Sequence, residues 1–290
     1  MKTRRALIIV NALARDGMAD LESVREQLRL GGIVSKLFIL ENTSQLRRVI
    51  RRHGPDIDLI IIGGGDGTLN AAVEPVLSAG FPLGVLPLGT ANDLARTLQI
   101  PAETEAAAQV IIEGRIKKID LGWVNHKHFL NVAHIGLAAK LSRDLTSSMK
   151  KRWGHLAYPL SIWNAYHSTR PFSVQITCDG RSQELKSIQM AIGNGRHYGG
   201  GMTIRQDAAI DDQCLNLYSI DPQPAWRLVP AIPAIFKGTM RDSAPIHLMD
   251  GREIKVTTDR RLPIATDGEI TAYTPALFRV KKELLPVFIP

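Results

Sequence analysis

The chain has 290 residues, 44% hydrophobic and 22% charged, with glycine and proline spread along it. That composition excludes a disordered tail, a repeat array and a low-complexity chain, and no apolar run approaches the ~20 residues of a membrane-spanning helix. The formal net charge of +8 suits an anionic partner such as a phosphate compound or a membrane surface, and is equally compatible with plain solubility.

The first element is an apolar run, Ala6–Val10, preceded by basic residues and followed by Ala-Leu-Ala. It imitates a signal peptide, but Asn11 interrupts it well short of the about 7–15 apolar residues a secretory core needs. We read it as a buried strand. Strands are expected next over 35–40, 59–62 and 83–87, and helices over 20–30, 44–53, 69–79 and 103–113. Gly80 and Gly114 stand where helix stops belong. Alternation of this kind predicts a mainly parallel sheet with helices on both faces, over residues 1–122.

Beyond about residue 120 the texture changes. Asn125-His126 reads as a tight turn between two strands, and a helix is expected over 154–167. Asp179-Gly180 and Asp267-Gly268 punctuate short apolar runs, which predicts a β-rich, mainly antiparallel second domain over 123–280. The last run, 281–290, is an apolar strand free to return to the first domain. Basic residues cluster at Arg47–Arg52 and at Lys150–Trp153, either of which suits an anionic bilayer. Leu228–Phe236 is apolar but short and carries two prolines. Cys178 and Cys214 are too far apart to suggest a disulfide scaffold or a zinc site, so a reduced, cytoplasmic compartment is the default.

The most informative stretch is Leu59–Asn70, LIIIGGGDGTLN. Ligands of parallel sheets sit beyond the carboxyl ends of strands. Glycines there let a ligand approach the amides closely, and consecutive N–H groups with a following helix start form an anion site. No Gly-Lys-Ser/Thr follows, so this is no P-loop, and no G-x-G-x-x-G can be read from Gly63 or Gly65. Instead Asp66 lies among Gly63, Gly64, Gly65 and Gly67. A carboxylate beside phosphate calls for a bridging cation, here Mg²⁺. Thr68 adds a hydroxyl and Asn70 an amide. The alternative is a plain strand–helix turn with Asp66 as cap. A second loop, GVLPLGTANDLAR, leaves a strand into Gly89, Thr90, Asn92 and Asp93. The two loops can face one crevice.

GGGDGTLN together with PLGTANDLAR resembles the diacylglycerol kinase catalytic-domain family, in its soluble bacterial lipid kinase branch, which is related to sphingosine and ceramide kinases. The resemblance continues in IDLGWVNHKHFLNVAHIGLAAKL (119–141), AIGNGRHYGGGMTI (191–204) and ATDGEI (265–270). It implies an α/β nucleotide domain, a β-rich lipid-substrate domain and an active site between them. It implies ATP phosphates at Gly63–Thr68, helped by Asn70, Gly89, Thr90 and Asn92, with Asn11 near the nucleotide. It makes Asp66 and Asp93 essential near catalytic Mg²⁺, and Glu269 the base for a lipid hydroxyl with Asp267 beside it. It also implies a structural Mg²⁺ held by Asp212 with the backbone oxygens of Ala209 and Cys214. This sequence departs from the family there, with Gln213 replacing a glycine and Asn216 replacing a common Asp. It departs again at Ala12, where proline is usual.

The function that follows is an ATP- and Mg-dependent lipid kinase acting on a lipid alcohol such as diacylglycerol. It would visit an anionic membrane surface transiently, bind no nucleic acid, and could form a homodimer through edge strands. A NAD kinase shares the Gly-Gly-Asp-Gly-Thr loop, although the Thr-Gly-Ser-Thr-Ala-Tyr stretch is missing here. A non-catalytic nucleotide or lipid sensor on the same fold is the third reading. No helical H-x-x-x-H and no G-x-S-x-G argues for a zinc enzyme or a serine hydrolase.

Overall fold

Short apolar runs bounded by turn residues become strands, and the amphipathic stretches between them cover the faces. The computed structural model describes residues 3–12, 21–144, 169–242 and 245–290. The helix expected over 154–167, its aromatic residues and the Lys150–Trp153 cluster lie outside those residues. The chain divides into two compact units, 1–121 with 199–201 and 281–290, and 122–198 with 202–280.

The first unit is built from β1 (Arg4–Asn11), α1 (Leu21–Leu30), β2 (Ile33–Leu40), α2 (Leu46–His53), β3 (Leu59–Gly64), α3 (Asp66–Ala79), β4 (Leu83–Pro87), α4 (Asp93–Thr97) and α5 (Thr104–Glu113). The sheet runs β2-β1-β3-β4, all parallel, with Ile8 paired to Leu37 on one side and Ile61 on the other. Ile8, Ile60, Ile61 and Ile62 are fully buried, as expected of a sheet covered on both faces. Gly80 and Gly114 stop their helices with φ of 73° and 77°, the left-handed conformation that glycine adopts without steric cost. Helix α2 buries Leu46, Val49 and Ile50 and exposes Arg47, Arg48, Arg51 and Arg52. Helix α3 begins three residues earlier than the periodicity predicts, at Asp66, because the glycine loop turns directly into it.

β5 (Ile116–Val124), β6 (Lys127–Phe129), β7 (Val132–Gly136) and α6 (Leu137–Asp144) lead into the second unit. One antiparallel array there joins β8 (Phe172–Cys178), β9 (Arg181–Ser187), β15 (Glu253–Thr258) and the start of β18 (Ala276–Phe288). The run over 185–193 is broken at Ile188. Its second part, β10 (Gln189–Gly193), belongs to another sheet, together with β13 (Leu215–Ile220), β14 (Ile246–Gly251), β16 (Pro263–Thr266), β17 (Glu269–Tyr273) and β7. A two-stranded ribbon, β11 (His197–Tyr198) with β12 (Met202–Thr203), completes the β structure. Phe172, Ile176, Ile254 and Phe278 from one sheet meet Met190, Ile192 and Leu217 from the other in a single buried cluster. PALFRV (275–280) and the last apolar run, LLPVFIP (284–290), fall largely within one strand, β18. Its start pairs with β15, and its end meets β4 at Val287 and Leu83 in the first unit. Glu283 takes a φ of 47° within that strand, and its amide donates to Asp120 at 2.7 Å. A local bend therefore keeps that amide partnered.

The proline-bearing run becomes helical. Val229–Ala231 is a short 3-10 turn and α7 (Ile232–Lys237) follows it. Pro233 lies in the first turn of α7, where the missing N–H costs nothing.

Candidate active site

The two loops read from the sequence lie side by side in the first unit. Gly63 and Gly64 end β3, paired with Leu86 and Pro87. A Cβ on Gly63 would press on Val10 and one on Gly64 on Thr68, so both are packing positions inside the sheet. The exposed backbone begins at Gly65, the N-cap of α3. A Cβ on Gly89 would lie 2.4 Å from the Cα of Gly65. Two main chains touch there, and no side chain fits between them.

Asp66 opens α3, where the first amides have no intrahelical acceptor. One carboxylate oxygen accepts the amide of Leu94 at 3.2 Å, which ties the first loop to the second. Thr68 is buried, and its hydroxyl accepts the Asn11 side-chain amide at 3.0 Å. Asn70 is 3% exposed and its side-chain oxygen has no partner among the described residues. Asn92 closes its own loop: its oxygen accepts the amide of Gly89, and its nitrogen donates to the carbonyls of Pro87 and Gly89. It does so in the left-handed conformation, φ 52°, which Asn tolerates better than most residues. Thr90 is exposed.

Asp93 does something its sequence context did not signal. It is 4% exposed, and its carboxylate accepts the amides of Gly200 at 3.0 Å and Gly201 at 2.8 Å. Burial pushes its carboxyl above the usual value, the Gly200 and Gly201 amides oppose that, and the nearby charge of Asp66 adds to it. The glycines of HYGGG take φ between 61° and 105°, so the ribbon tip can present two successive amides to one carboxylate.

In the second unit, Asp267 and Gly268 form the tight turn between β16 and β17, with φ of 47° and 91°. The Asp267 carboxylate accepts three amides: Leu130 at 2.7 Å, Asn131 at 2.9 Å and Val132 at 3.1 Å. It braces the start of β7. Glu269, two residues on, is exposed and its carboxylate has no hydrogen bond among the described residues. Asn194 supports the same braced segment, its side chain donating to the Leu130 carbonyl at 2.9 Å. Asp212 accepts the amides of Ala209 and Cys214 at 3.0 and 2.9 Å, across Gln213 at φ 59°. The loop thus adopts the backbone a glycine would favour without having one. Among the described residues no three His, Cys, Asp or Glu side chains group as a metal centre.

Residues 5–124 match the family model of the diacylglycerol kinase catalytic domain. Residues 131–289, more than half the chain, match the YegS C-terminal NAD kinase beta sandwich-like domain. A diacylglycerol kinase of Bacillus subtilis (strain 168) is 30% identical over 226 residues, 77% of this chain and 75% of that one. The chain belongs to the diacylglycerol kinase catalytic-domain family. A Yersinia enterocolitica protein described as a YegS-like lipid kinase is likewise 30% identical over 270 residues, covering 91% of this chain and 89% of its own. A crystal structure of a diacylglycerol kinase from Bacillus anthracis shares the fold with a TM-score of 0.78 at 22% identity, covering 100% of this chain and 98% of that one. As a member of this family the chain is a kinase.

The residues of this family member fit a nucleotide polyphosphate. The Gly65–Gly89 contact leaves bare backbone, and the start of α3 supplies amides. The second oxygen of Asp66 accepts nothing among the described residues, which leaves a carboxylate for a hard cation beside that backbone.

Proposed function

We propose that this kinase transfers the γ-phosphoryl group of ATP to the hydroxyl of a lipid alcohol such as diacylglycerol, with Mg²⁺ required. The observation that carries the reading is the apposition of Gly65 and Gly89 beside the half-engaged carboxylate of Asp66. The names of its relatives support a lipid as the acceptor.

Phosphoryl transfer asks little covalent chemistry of a protein; it needs positioning and charge neutralisation. The amides from Gly65 to Gly67 and the hydroxyl of Thr68 hold anionic oxygens, and Asn11 orients that hydroxyl. Asp66 would hold the cation, which when bound would neutralise phosphate charge. Asp93 keeps the Gly200–Gly201 tip against the second loop. Glu269 accepts the hydroxyl proton as the lipid oxygen bonds to the γ-phosphorus and the bond to the ADP oxygen breaks. The products are a lipid phosphomonoester and ADP. Asp267 holds the turn that carries Glu269. The enzyme works from the cytoplasm on substrate drawn from an anionic membrane surface.

The test is labelled ATP with Mg²⁺ and a panel of lipid alcohols in mixed micelles, with NAD as control. Label in an organic-soluble phosphomonoester, lost when Mg²⁺ is removed, is expected. Label in NADP alone would replace this reading with the NAD kinase one.

A further inference from the structure

Between β13 and β14 the second unit carries a segment, Ala225–Arg241, with the sequence AWRLVPAIPAIFKGTMR. It contains three cations and no carboxylate. Its inner side belongs to the fold: Ala231, Ala234 and Ile235 pack against a buried cluster that includes Tyr198 and Tyr218, and Met240 is buried in the same cluster. A Cβ on Gly238 would meet Thr203, so the segment is seated closely.

Its outer side is unlike an ordinary surface. Trp226 is 68% exposed and Phe236 is 56% exposed. The guanidinium of Arg227 lies 5.0 Å from the centre of the Trp226 ring, and Lys237 directly follows Phe236. Arg227, Lys237 and Arg241 are all exposed. The flanking carboxylates are engaged within the fold, Asp221 with His247 and Asp242 with the amide of Leu248. An indole under a cation, a second aromatic and free positive charge match the boundary layer of a bilayer with anionic headgroups. Helix α2, another basic surface among the described residues, exposes arginines but buries its apolar residues, so it has charge without anything to insert.

We propose that Ala225–Arg241 is a membrane-docking element, with Trp226 and Phe236 inserting among the lipids of an anionic bilayer and Arg227, Lys237 and Arg241 contacting their headgroups. The need to meet a bilayer rests on the lipid-kinase reading, but the binding itself requires no catalysis.

Sedimentation with sucrose-loaded vesicles of phosphatidylcholine, with and without phosphatidylglycerol, tests it on the full chain. Wild type should bind the anionic vesicles and release as salt is raised. Trp226→Ser with Phe236→Ser should weaken that binding about tenfold, the scale of losing one well-buried aromatic. Arg227→Gln, Lys237→Gln and Arg241→Gln together should weaken it and flatten its salt dependence. Replacing Arg47, Arg48, Arg51 and Arg52 by Gln should reduce it less than either. All variants should keep wild-type melting and wild-type turnover of a monomeric short-chain diacylglycerol. Unchanged vesicle binding in the aromatic variant overturns the proposal. So does a lipid-free dimer that Phe236→Ser dissolves, since that assigns the face to a second copy. If vesicle binding behaves as expected but no lipid alcohol is phosphorylated, docking stands and the kinase reading falls.

Discussion

The amide of Gly201 donates to the carboxylate of Asp93 at 2.8 Å, across 108 positions of sequence. Gly200 donates to the same carboxylate, so one buried acid anchors the tip of a β-ribbon. The burial that raises its carboxyl has a thermodynamic consequence. A folded-state value above the unfolded one means that the folded chain holds the proton more tightly. Stability is then lost as pH rises from the ordinary carboxylate range through the raised value, and the loss is flat above it. The melting temperature of wild type minus that of Asp93→Asn should therefore fall over that window and level off. A difference that rises with pH would show that the amides, not burial, dominate.

Asp66 is distinguished by what it leaves unengaged. One oxygen accepts Leu94 and the other has no partner among the described residues. Asp66→Asn should abolish turnover at ordinary Mg²⁺ levels while melting stays within a few degrees of wild type. Gly89→Ala should be damaging by a different route, because its Cβ would lie 2.4 Å from backbone rather than from a yielding side chain. Calorimetry should find nucleotide binding lost in Gly89→Ala, and wild-type affinity there would contradict the contact.

Glu269 and Asp267 separate the two tasks of one turn. Glu269→Gln keeps shape and removes the proton acceptor, so kcat should fall by about 10²–10⁴-fold, with nucleotide affinity unchanged. Asp267→Asn cannot serve three amides equally, since one of its two acceptors becomes a donor. Its melting temperature should drop, and activity should fall with it. If Asp267→Asn melts like wild type but loses turnover as severely as Glu269→Gln, the base is Asp267.

His134 offers a test inside the second unit. It is buried, its ring within 3.2 Å of the Gln189 amide, and burial pushes it down to about 4. Unfolding releases it to its ordinary value near ~6.5. Its contribution is fully present above that value and is lost as pH falls toward about 4. The loss amounts to about 3 kcal/mol. Melting curves between these limits should fall more steeply for wild type than for His134→Gln; parallel curves would remove the histidine from the account.

The order of strands in the first unit, and of its helices apart from the five-residue α4, followed from the sequence alone. Hydrophobic runs such as LIII and LGVLP have only one way to be buried, between helices that bury residues such as Leu46 and Val49. The glycine loop was legible for the same local reason, since bare backbone at a strand end beside a carboxylate is a short-range pattern. The meeting of PALFRV and LLPVFIP in one strand was not, because Glu283 takes a backbone angle that no periodicity encodes. Nor did the sequence separate the four acids. Asp66, Asp267 and Glu269 adjoin glycines and Asp93 closes a glycine-bearing loop, so nothing local told which carboxylates the fold would occupy. What distinguishes them is whether the carboxylate already accepts amides, and those amides arrive from Gly200 and Gly201 for Asp93 and from Leu130, Asn131 and Val132 for Asp267. A carboxylate has few lone-pair sites. Folding decides which are filled, because the donors are brought from more than a hundred residues away.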